Sequence, residues 1–243
     1  MIKQKVALVT GASRGIGKTV ALGLIKDGFR LALVARSAEN LQAVASEIVE
    51  LNLDADSQPL LFPIDITQRD SVQTIVAEID KIWGRIDLFF NNAGTWIEGT
   101  LDVEIDELDR IFSVNLKAGF YFLQAVVPIM KRQGFGQIVN LVCITAKGAE
   151  PDWGIYSASK YAFFGLTEAI HFDLIKYGIK VTAICPSWVD TNMAQQAATP
   201  YPSDQMIQKE DILNTIRWLI KMSPKAAIKE VVIDCISEYV REK

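Results

Sequence analysis

The sequence predicts an α/β protein built on one doubly wound parallel sheet of seven strands. Two observations support this fold class. Short runs rich in β-branched residues alternate with segments of helical periodicity along the whole chain, which is typical of parallel strands joined by crossover helices. The chain has 243 residues, half of them hydrophobic, which suits one large core and is short for two domains. We therefore expect a single domain spanning residues 1–243.

The predicted helices have recognisable beginnings and ends. Ser37 precedes one helical pattern as an N-cap, and Thr67 with Asp70 three residues later forms a candidate capping box before the next. Gly28 and Gly84 stand where helices should end. The predicted strands cover residues 5–10, 30–35, 60–64, 86–91, 136–142, 180–185 and 230–234.

Composition excludes several classes of protein. The net charge is −4 and the longest basic run is the pair Lys131-Arg132, so we expect no nucleic-acid partner. No N-terminal segment resembles a signal peptide, and the longest mostly apolar stretch, residues 118–130, falls short of the ~20 residues of a membrane span. Three cysteines without C-x-x-C spacing and one histidine indicate neither a disulfide framework nor a metal site. We expect a cytoplasmic protein without metal or membrane contact.

A glycine-rich turn, T-G-A-S-R-G-I-G, ends the first strand and opens a helix. Glycines let the backbone turn tightly and approach a pyrophosphate, which the helix N-terminus then binds through free N–H groups and its dipole. The spacing is a variant of the dinucleotide-binding fingerprint, although a glycine-rich turn can also be ordinary turn chemistry. The residues expected to contact a cofactor here are Gly11, Ser13, Arg14, Gly15, Ile16 and Gly17.

Tyr156 and Lys160 are four residues apart where a helix is predicted to start, so they should share one helix face. A tyrosine has an ordinary pKa of about 10, and a nearby positive charge favours its ionised form. Lys160 is therefore expected to lower the pKa of Tyr156 and make it a usable proton donor. Taken alone, the same spacing also fits a solvated helix face.

Further motifs follow in a fixed order along nearly the whole chain. They are the glycine turn, Asp65, N-N-A-G at residues 91–94, Asn115, the Tyr156–Lys160 pair and P-S-W-V-D-T at residues 186–191. With them the chain resembles the short-chain dehydrogenase/reductase family, in particular its carbonyl reductases similar to 3-oxoacyl reductases. The resemblance implies a Rossmann-type fold and hydride transfer with a nicotinamide cofactor.

The resemblance also implies roles for individual residues. Asp65 and Ile66 should hold the adenine ring. Asn115 is either a buried amide that bonds the backbone or the holder of a water in a proton relay to Lys160, and the family favours the relay. Cofactor contacts are further implied for Asn91, Ala93, Gly94, Tyr156, Lys160, Pro186, Val189 and Thr191.

Charge at the second strand indicates which cofactor is used. NAD-binding proteins usually present an acid at the end of this strand, whereas NADP needs a cation for its 2′-phosphate. Here the strand leads into Arg36 with no acid, and Arg14 projects from the glycine turn. Two guanidinium groups can bracket a phosphate, so we expect NADP(H). Each arginine would also fit an ordinary surface position.

The chain departs from the family at one catalytic position. Thirteen residues before the tyrosine, where the family has a serine that bonds the substrate carbonyl, this chain has Cys143, and a thiol is a weak donor. Either Cys143 acts as a poorer donor, or Thr145 supplies a hydroxyl from the same face if the strand continues. Alternatively catalysis has faded and the protein only binds the cofactor, or Cys143 is an engineered substitution.

Three tryptophans flank the motifs at the predicted strand ends. Trp96, Trp153 and Trp188 would form an apolar wall suited to an aromatic or alicyclic carbonyl compound, or they simply fill gaps at loop bases. Residues 191–208 are irregular and form a candidate substrate lid. The Lys131-Arg132 pair would fit an acidic carrier protein or merely the end of a helix.

These features together predict NADPH-dependent reduction of a ketone or aldehyde, with Tyr156 as the proton donor. One alternative is reduction of a 3-oxoacyl group on a carrier protein. A non-enzymatic alternative is an NADP(H)-binding regulator or scaffold weakened by Cys143. The resemblance further implies a homodimer or homotetramer built through two long helices at residues 105–131 and 156–177.

Overall fold

A computed structural model of the protein describes residues 4–51 and 58–240. Its centre is one seven-stranded sheet in the order β3-β2-β1-β4-β5-β6-β7, and all six pairings are parallel. The predicted fold class is therefore confirmed. The strands are β1 Val6–Thr10, β2 Arg30–Ala35, β3 Leu60–Pro63, β4 Leu88–Asn91, β5 Gly136–Leu141, β6 Ile179–Pro186 and β7 Glu230–Ile233.

Eight α-helices lie in the described part of the chain. They are α1 Gly15–Lys26, α2 Ala38–Glu50, α3 Arg69–Trp83, α4 Ile105–Phe112, α5 Gly119–Gln133, α6 Gly154–Leu174, α7 Asn192–Gln196 and α8 Lys209–Lys221. The side chain of Ser37 accepts a hydrogen bond from the Asn40 N–H and caps α2 as predicted. Gly28 and Gly84 take positive φ angles at the ends of α1 and α3, also as predicted.

The predicted capping box of α3 is wrong. The N-cap is Gln68, its side chain makes no capping bond, and the helix begins at Arg69. The Thr67 N–H instead donates to Asp65 Oδ1 at 3.0 Å. This local turn uses the carboxylate that follows β3, so the chain enters the helix one residue later than the box requires.

Both faces of the sheet are covered, as the near-continuous apolar strands require. Helices α3, α5 and α6 pack on one face, whereas α1, α2 and α8 pack on the other. Because β1 lies between β2 and β4, the winding direction reverses there. In such sheets the ligand crevice opens beyond the carboxyl ends of the strands at that reversal.

The first of the two predicted long helices is continuous but contains a π-helical segment. Between α4 and α5 the chain makes a π-helical turn, Ser113–Ala118, and such turns are common at functional sites. By length and composition alone, the helical stretch Ile105–Gln133 is long and apolar enough to cross a membrane. The apolar residues 118–130 identified from the sequence are too short for such a span. One side of the helical stretch is buried in the core through Phe122, Val126 and Met130, and buried helices of globular proteins pass the same test.

Candidate active site

A cavity of about 1040 Å³ opens at the carboxyl edge of the sheet. It extends from the glycine turn after β1 to the segment that follows β6. Most residues expected at the site line it, although they come from segments far apart in the chain. These are Gly11, Ser13, Arg14, Gly15, Ile16, Arg36, Asp65, Ile66, Ala93, Gly94, Trp96, Cys143, Thr145, Trp153, Tyr156, Lys160, Pro186, Trp188, Val189 and Thr191.

Three expected site residues do not line the cavity. An added Cβ on Gly17 would lie 2.2 Å from the Gly11 carbonyl oxygen, so Gly17 permits close packing of the turn instead. Asn91 is buried beneath the wall, and its Nδ2 has no hydrogen-bond partner among the described residues. Asn115 is also buried. All three residues are buried in the protein interior.

The glycine turn is built to bring backbone close to a ligand. Gly11 and Gly15 have φ angles of +65° and +54°, which side chains with a Cβ rarely adopt. Helix α1 begins at Gly15, and its N-cap residue Arg14 makes no side-chain capping bond. The first N–H groups of α1 are therefore available to an anion at the cavity floor.

Asn92 holds this turn in place, and sequence reasoning missed it in favour of its neighbour Asn91. The side-chain Nδ2 of Asn92 donates to the Thr10 carbonyl at 2.9 Å, and its backbone N–H donates to Thr10 Oγ1 at 3.0 Å. These bonds tie the end of β4 to the end of β1. The signal was present in the N-N-A-G motif, but sequence spacing does not show which asparagine faces the turn.

Arg14 and Arg36 line the same end of the cavity. Both side chains are exposed, and neither forms an ion pair within the described ranges. Their guanidinium groups are therefore free to bind an anion. Asp65 lies at this end as well, where its Oδ1 is engaged by the Thr67 N–H.

Tyr156 and Lys160 are both buried on α6, with Lys160 Nζ 5.7 Å from the centre of the Tyr156 ring. Burial raises the pKa of Tyr156 well above its ordinary value, and the neighbouring Cys143 adds to the rise. Burial likewise lowers the pKa of Lys160. The net direction for the Tyr156 pKa is therefore upward, opposite to the predicted lowering, because desolvation disfavours the charged phenolate.

Asn115 lies in the π-helical turn, and its side chain is fully engaged. Its Nδ2 donates to the Thr95 carbonyl at 2.9 Å and to Ser159 Oγ at 3.0 Å, while its Oδ1 accepts from the Thr95 N–H at 2.8 Å. Ser159 in turn donates to the Tyr156 carbonyl at 2.7 Å. These contacts agree with the interpretation of Asn115 as a buried amide that bonds the backbone. A water relay through Asn115 stays a prediction.

Cys143 follows the end of β5 and is partly exposed to the cavity. Thr145 was expected to share a face with Cys143 only if the strand continued, and the strand does not continue. The extended backbone ends at Cys143, and residues Ile144–Ala146 form a 3₁₀ turn. Thr145 still lines the cavity, where it is 1% exposed. Its Oγ1 finds no partner in the part of the chain that the structure describes.

The tryptophans form a continuous aromatic wall. The ring of Trp153 lies 5.7 Å from Trp96, 5.2 Å from Trp188 and 6.4 Å from Tyr156, each in an edge-to-face arrangement. Trp188 continues the series to Tyr201 at 6.5 Å. Edge-to-face rings stabilise one another beyond simple burial. The wall therefore extends from Trp96 to the ring of Tyr156.

Several lining residues were not predicted individually, although one of them, Met193, lies in the predicted lid at residues 191–208. Thr95, Arg110, Met193, Glu150 and Glu238 all line the cavity. Glu238 arrives from the C-terminal segment, which is held by hydrogen bonds from Cys235 Sγ and Ser237 Oγ to the Gln205 carbonyl. No local pattern could place residue 238 beside the ends of β4 to β6, because only the tertiary fold brings that segment back.

Comparison with known proteins agrees with this architecture. The sequence profile of the short chain dehydrogenase family matches residues 5–201. An uncharacterised oxidoreductase of Staphylococcus aureus strain MW2 is 31% identical over 235 residues, which cover 96% of this chain and 98% of that protein.

Solved structures give the same result. A betaketoacyl-[ACP] reductase (FabG) from Bacteroides thetaiotaomicron is 38% identical, with 98% of this chain and 100% of that one covered and a TM-score of 0.88. A metagenomic short-chain oxidoreductase in complex with NADP is 30% identical, with 95% and 96% covered and a TM-score of 0.82. Because the family profile covers most of the chain and these relatives span nearly all of it, the protein belongs to the short-chain dehydrogenase/reductase family of oxidoreductases.

Proposed function

We propose that this protein reduces a ketone or aldehyde to an alcohol with NADPH. The observation that carries the proposal is the position of Tyr156, a buried tyrosine at the wall of a large cavity between the glycine turn and the tryptophan wall. A proton donor, an anion-binding turn and an apolar surface thus share one cavity. Membership of an oxidoreductase family supports the same reaction.

The residues present fit a dinucleotide with a 2′-phosphate. The uncapped N-terminus of α1 and the lack of space for side chains at Gly11 and Gly17 suit a pyrophosphate close to the backbone. Arg14 and Arg36 would bind the 2′-phosphate, and Asp65 with Ile66 would contact the adenine. Bound NADPH would supply the hydride that reduces the carbonyl carbon. A related oxidoreductase bound to NADP supports this choice.

Tyr156 would donate the proton to the carbonyl oxygen. Its raised pKa keeps the phenol protonated at neutral pH, which suits the reduction direction. Lys160 lies at the same wall, and its ammonium would stabilise the phenolate left after donation. Cys143 would donate a weak hydrogen bond to the substrate oxygen, and the tryptophans would exclude water from the reacting groups.

A second candidate is reduction of a 3-oxoacyl group on a carrier protein. The observation in its favour is the 38% identity to the betaketoacyl-[ACP] reductase. The expected docking cations are already engaged, however. Arg132 pairs with Asp80 at 2.6 Å, and Lys131 lies 4.3 Å above the Tyr177 ring. An acidic carrier would have to compete with both contacts, so we favour a small carbonyl compound.

Assembly into a homodimer or homotetramer belongs to the same proposal. Helices α5 and α6 expose large apolar side chains, including Phe120, Tyr161 and Phe172. A groove between these helices is lined by Leu123 and Ile170 among others. Such a surface suits the isologous contact of a symmetric dimer.

The test is NADPH consumption over a panel of ketones, aldehydes and a 3-oxoacyl carrier-protein substrate. We expect turnover of small carbonyl compounds to exceed that of the carrier substrate. Replacing Tyr156 with Phe should lower kcat about 10²- to 10⁴-fold while NADPH binding is kept. Tight NADPH binding without turnover of any compound, in both the wild type and Cys143→Ser, would instead support the non-enzymatic regulator.

A further inference from the structure

Charge is distributed unevenly along the cavity. Arg14 and Arg36 lie at the end formed by the glycine turn and β2, whereas Glu150 and Glu238 line the cavity among the segments that follow β5 and β7. Both glutamates are exposed, and neither has an ion-pair partner among residues 4–51 and 58–240. The glycine-turn end thus carries two exposed arginines beside one aspartate, Asp65, whereas the segments after β5 and β7 contribute two glutamates and no exposed cation to the lining.

Two cations other than these arginines also line the cavity. Arg110 is occupied by Glu107, to which it donates from Nε and Nη2, so its charge is largely balanced. Lys160 is buried beside Tyr156, where burial lowers its pKa. Neither one neutralises Glu238.

Aromatic faces accompany the carboxylate. Trp153 and Trp188 line the cavity with ring centres 5.2 Å apart, and Tyr201 continues the series behind Trp188. Glu238 belongs to the C-terminal segment and lines the same cavity as Trp153 and Trp188. The C-terminal segment is also held against Gln205 by two hydrogen bonds. Aromatic rings and a carboxylate without an ion pair among the described residues therefore line the same cavity.

This combination selects among possible substrates. A cation over an aromatic face is attracted by the ring quadrupole, and recognition of substituted ammonium groups commonly uses several such rings. A neutral apolar group would gain binding free energy from the rings alone, whereas an anionic group would be repelled by the two glutamates. The charge pattern therefore also disfavours an acidic substrate or partner at this mouth of the cavity.

We propose that the substrate is a ketone or aldehyde that carries an ammonium group, bound over Trp153 and Trp188 with Glu238 as its counter-charge. This inference rests on the proposed carbonyl reduction and names the substrate class of the same site. The carbonyl group would lie at Tyr156, and the ammonium group would lie toward the C-terminal segment.

A pair of isosteric ketones tests the proposal. 4-(Trimethylammonio)acetophenone and 4-tert-butylacetophenone differ in charge but hardly in shape. We would measure their binding to the full-length protein by calorimetry at low ionic strength, with NADP⁺ and without any cofactor. The cationic ketone should bind about 5- to 30-fold more tightly than the neutral one.

Substitutions show which residues cause the preference for the cationic ketone. Glu238→Gln should lower the preference for the cationic ketone at least about threefold, while Glu78→Gln, an equivalent change at an exposed position of α3 outside the cavity, should leave it unchanged. Trp188→Leu should weaken binding of both ketones and the cationic one more. Equal binding of the two ketones by the wild type, or an unchanged preference in Glu238→Gln, would overturn the proposal.

Turnover separates this inference from the proposed function. Selective binding of the cationic ketone without any NADPH oxidation would leave the binding site standing and contradict the reductase proposal. Reduction of both ketones with the same KM would support the reductase and contradict the ammonium site. Selective binding together with a lower KM for the cationic ketone would support both.

Discussion

The two ends of the cavity are built by different means. At the cofactor end the wall is mainly backbone, where Gly11 and Gly15 have positive φ angles and α1 presents an uncapped N-terminus. At the substrate end the wall is mainly side chains, from Trp96 in the chain after β4 to Glu238 near the C-terminus. The first end depends on one short stretch of sequence, and the second on segments more than a hundred residues apart.

This difference indicates how each end should tolerate change. A backbone site has little room to adjust, so a single added carbon atom can disrupt it. A site made of side chains can lose or exchange one member and keep its shape, because neighbouring rings support one another. The cofactor end should therefore be the more sensitive to small substitutions, and the substrate end the more adaptable.

Among substitutions that compare the two ends, Gly17→Ala should have the largest effect. The added Cβ would lie 2.2 Å from the Gly11 carbonyl oxygen, and the turn must move to relieve this contact with backbone, at a cost of about 3 kcal/mol. We expect NADPH affinity to fall about 100-fold, measured by fluorescence titration.

Gly148→Ala is the matched control, because an added Cβ there meets nothing within 4 Å. It should leave NADPH affinity within about twofold. If Gly17→Ala bound NADPH as well as Gly148→Ala does, the turn would not be the rigid backbone site described above.

Arg36→Asp should change cofactor choice at the same end. Loss of a charge-assisted bond and gain of repulsion should raise the KM for NADPH about 30-fold and the KM for NADH less than about threefold. Steady-state kinetics with both cofactors measures this difference. Lys225→Asp, the same charge change at an exposed position away from the cavity, should alter neither value, and equal effects of Arg36→Asp on the two cofactors would contradict the NADP assignment.

The pH dependence should report on Tyr156 at the substrate end. Because its pKa is raised above the ordinary value, the phenol stays protonated through neutral pH, so kcat/KM for reduction should be flat from pH 6 to 9. Alcohol oxidation needs the phenolate, and its rate should rise about 10-fold per pH unit over that range. A plateau in oxidation below pH 8 would show that Lys160 lowers the pKa of Tyr156 after all.

Cys143→Ser should have the smallest effect, and it should increase activity where the other substitutions impair function. A hydroxyl is a better donor to the substrate oxygen than a thiol, so kcat for reduction should rise about 10-fold, less than the full value of a strong donor. Single-turnover kinetics would measure the chemical step, and thermal unfolding would check that the fold is kept. A fall in kcat would indicate that the thiol has a role of its own.

Much of the cofactor end, and the Tyr156–Lys160 pair at the substrate end, could be predicted from sequence because their signals are local. Each signal is contained in a few residues. These signals are the spacing of the glycines, the basic Arg36 where NAD-binding proteins usually have an acid, and the Tyr156–Lys160 pair on α6. The Tyr156–Lys160 spacing placed both residues at the cavity correctly, but it did not predict the direction of the pKa change. Burial decides that direction, and burial depends on the whole fold.

The errors share this cause. Asn92 rather than Asn91 reaches the glycine turn, and Thr145 comes to the cavity through a 3₁₀ turn instead of a strand. In both places a backbone direction that is set by tertiary packing decides which neighbour faces the site. The capping box at Thr67 was wrong for a related reason, because Asp65 takes the Thr67 N–H first.

By itself the sequence determined the fold class, the order of strands and helices along the chain, the glycine turn and the Tyr156–Lys160 pair on one helix, because each of these is encoded by periodicity or short-range spacing. The tertiary structure alone decided that Glu238 and the tryptophans from three loops line one cavity, and that burial raises the pKa of Tyr156. Distances between remote segments and the solvent exposure of a charge exist only after the chain has folded. The chemistry of the substrate end therefore depends on the packed molecule, whereas that of the cofactor end is already contained in its motif.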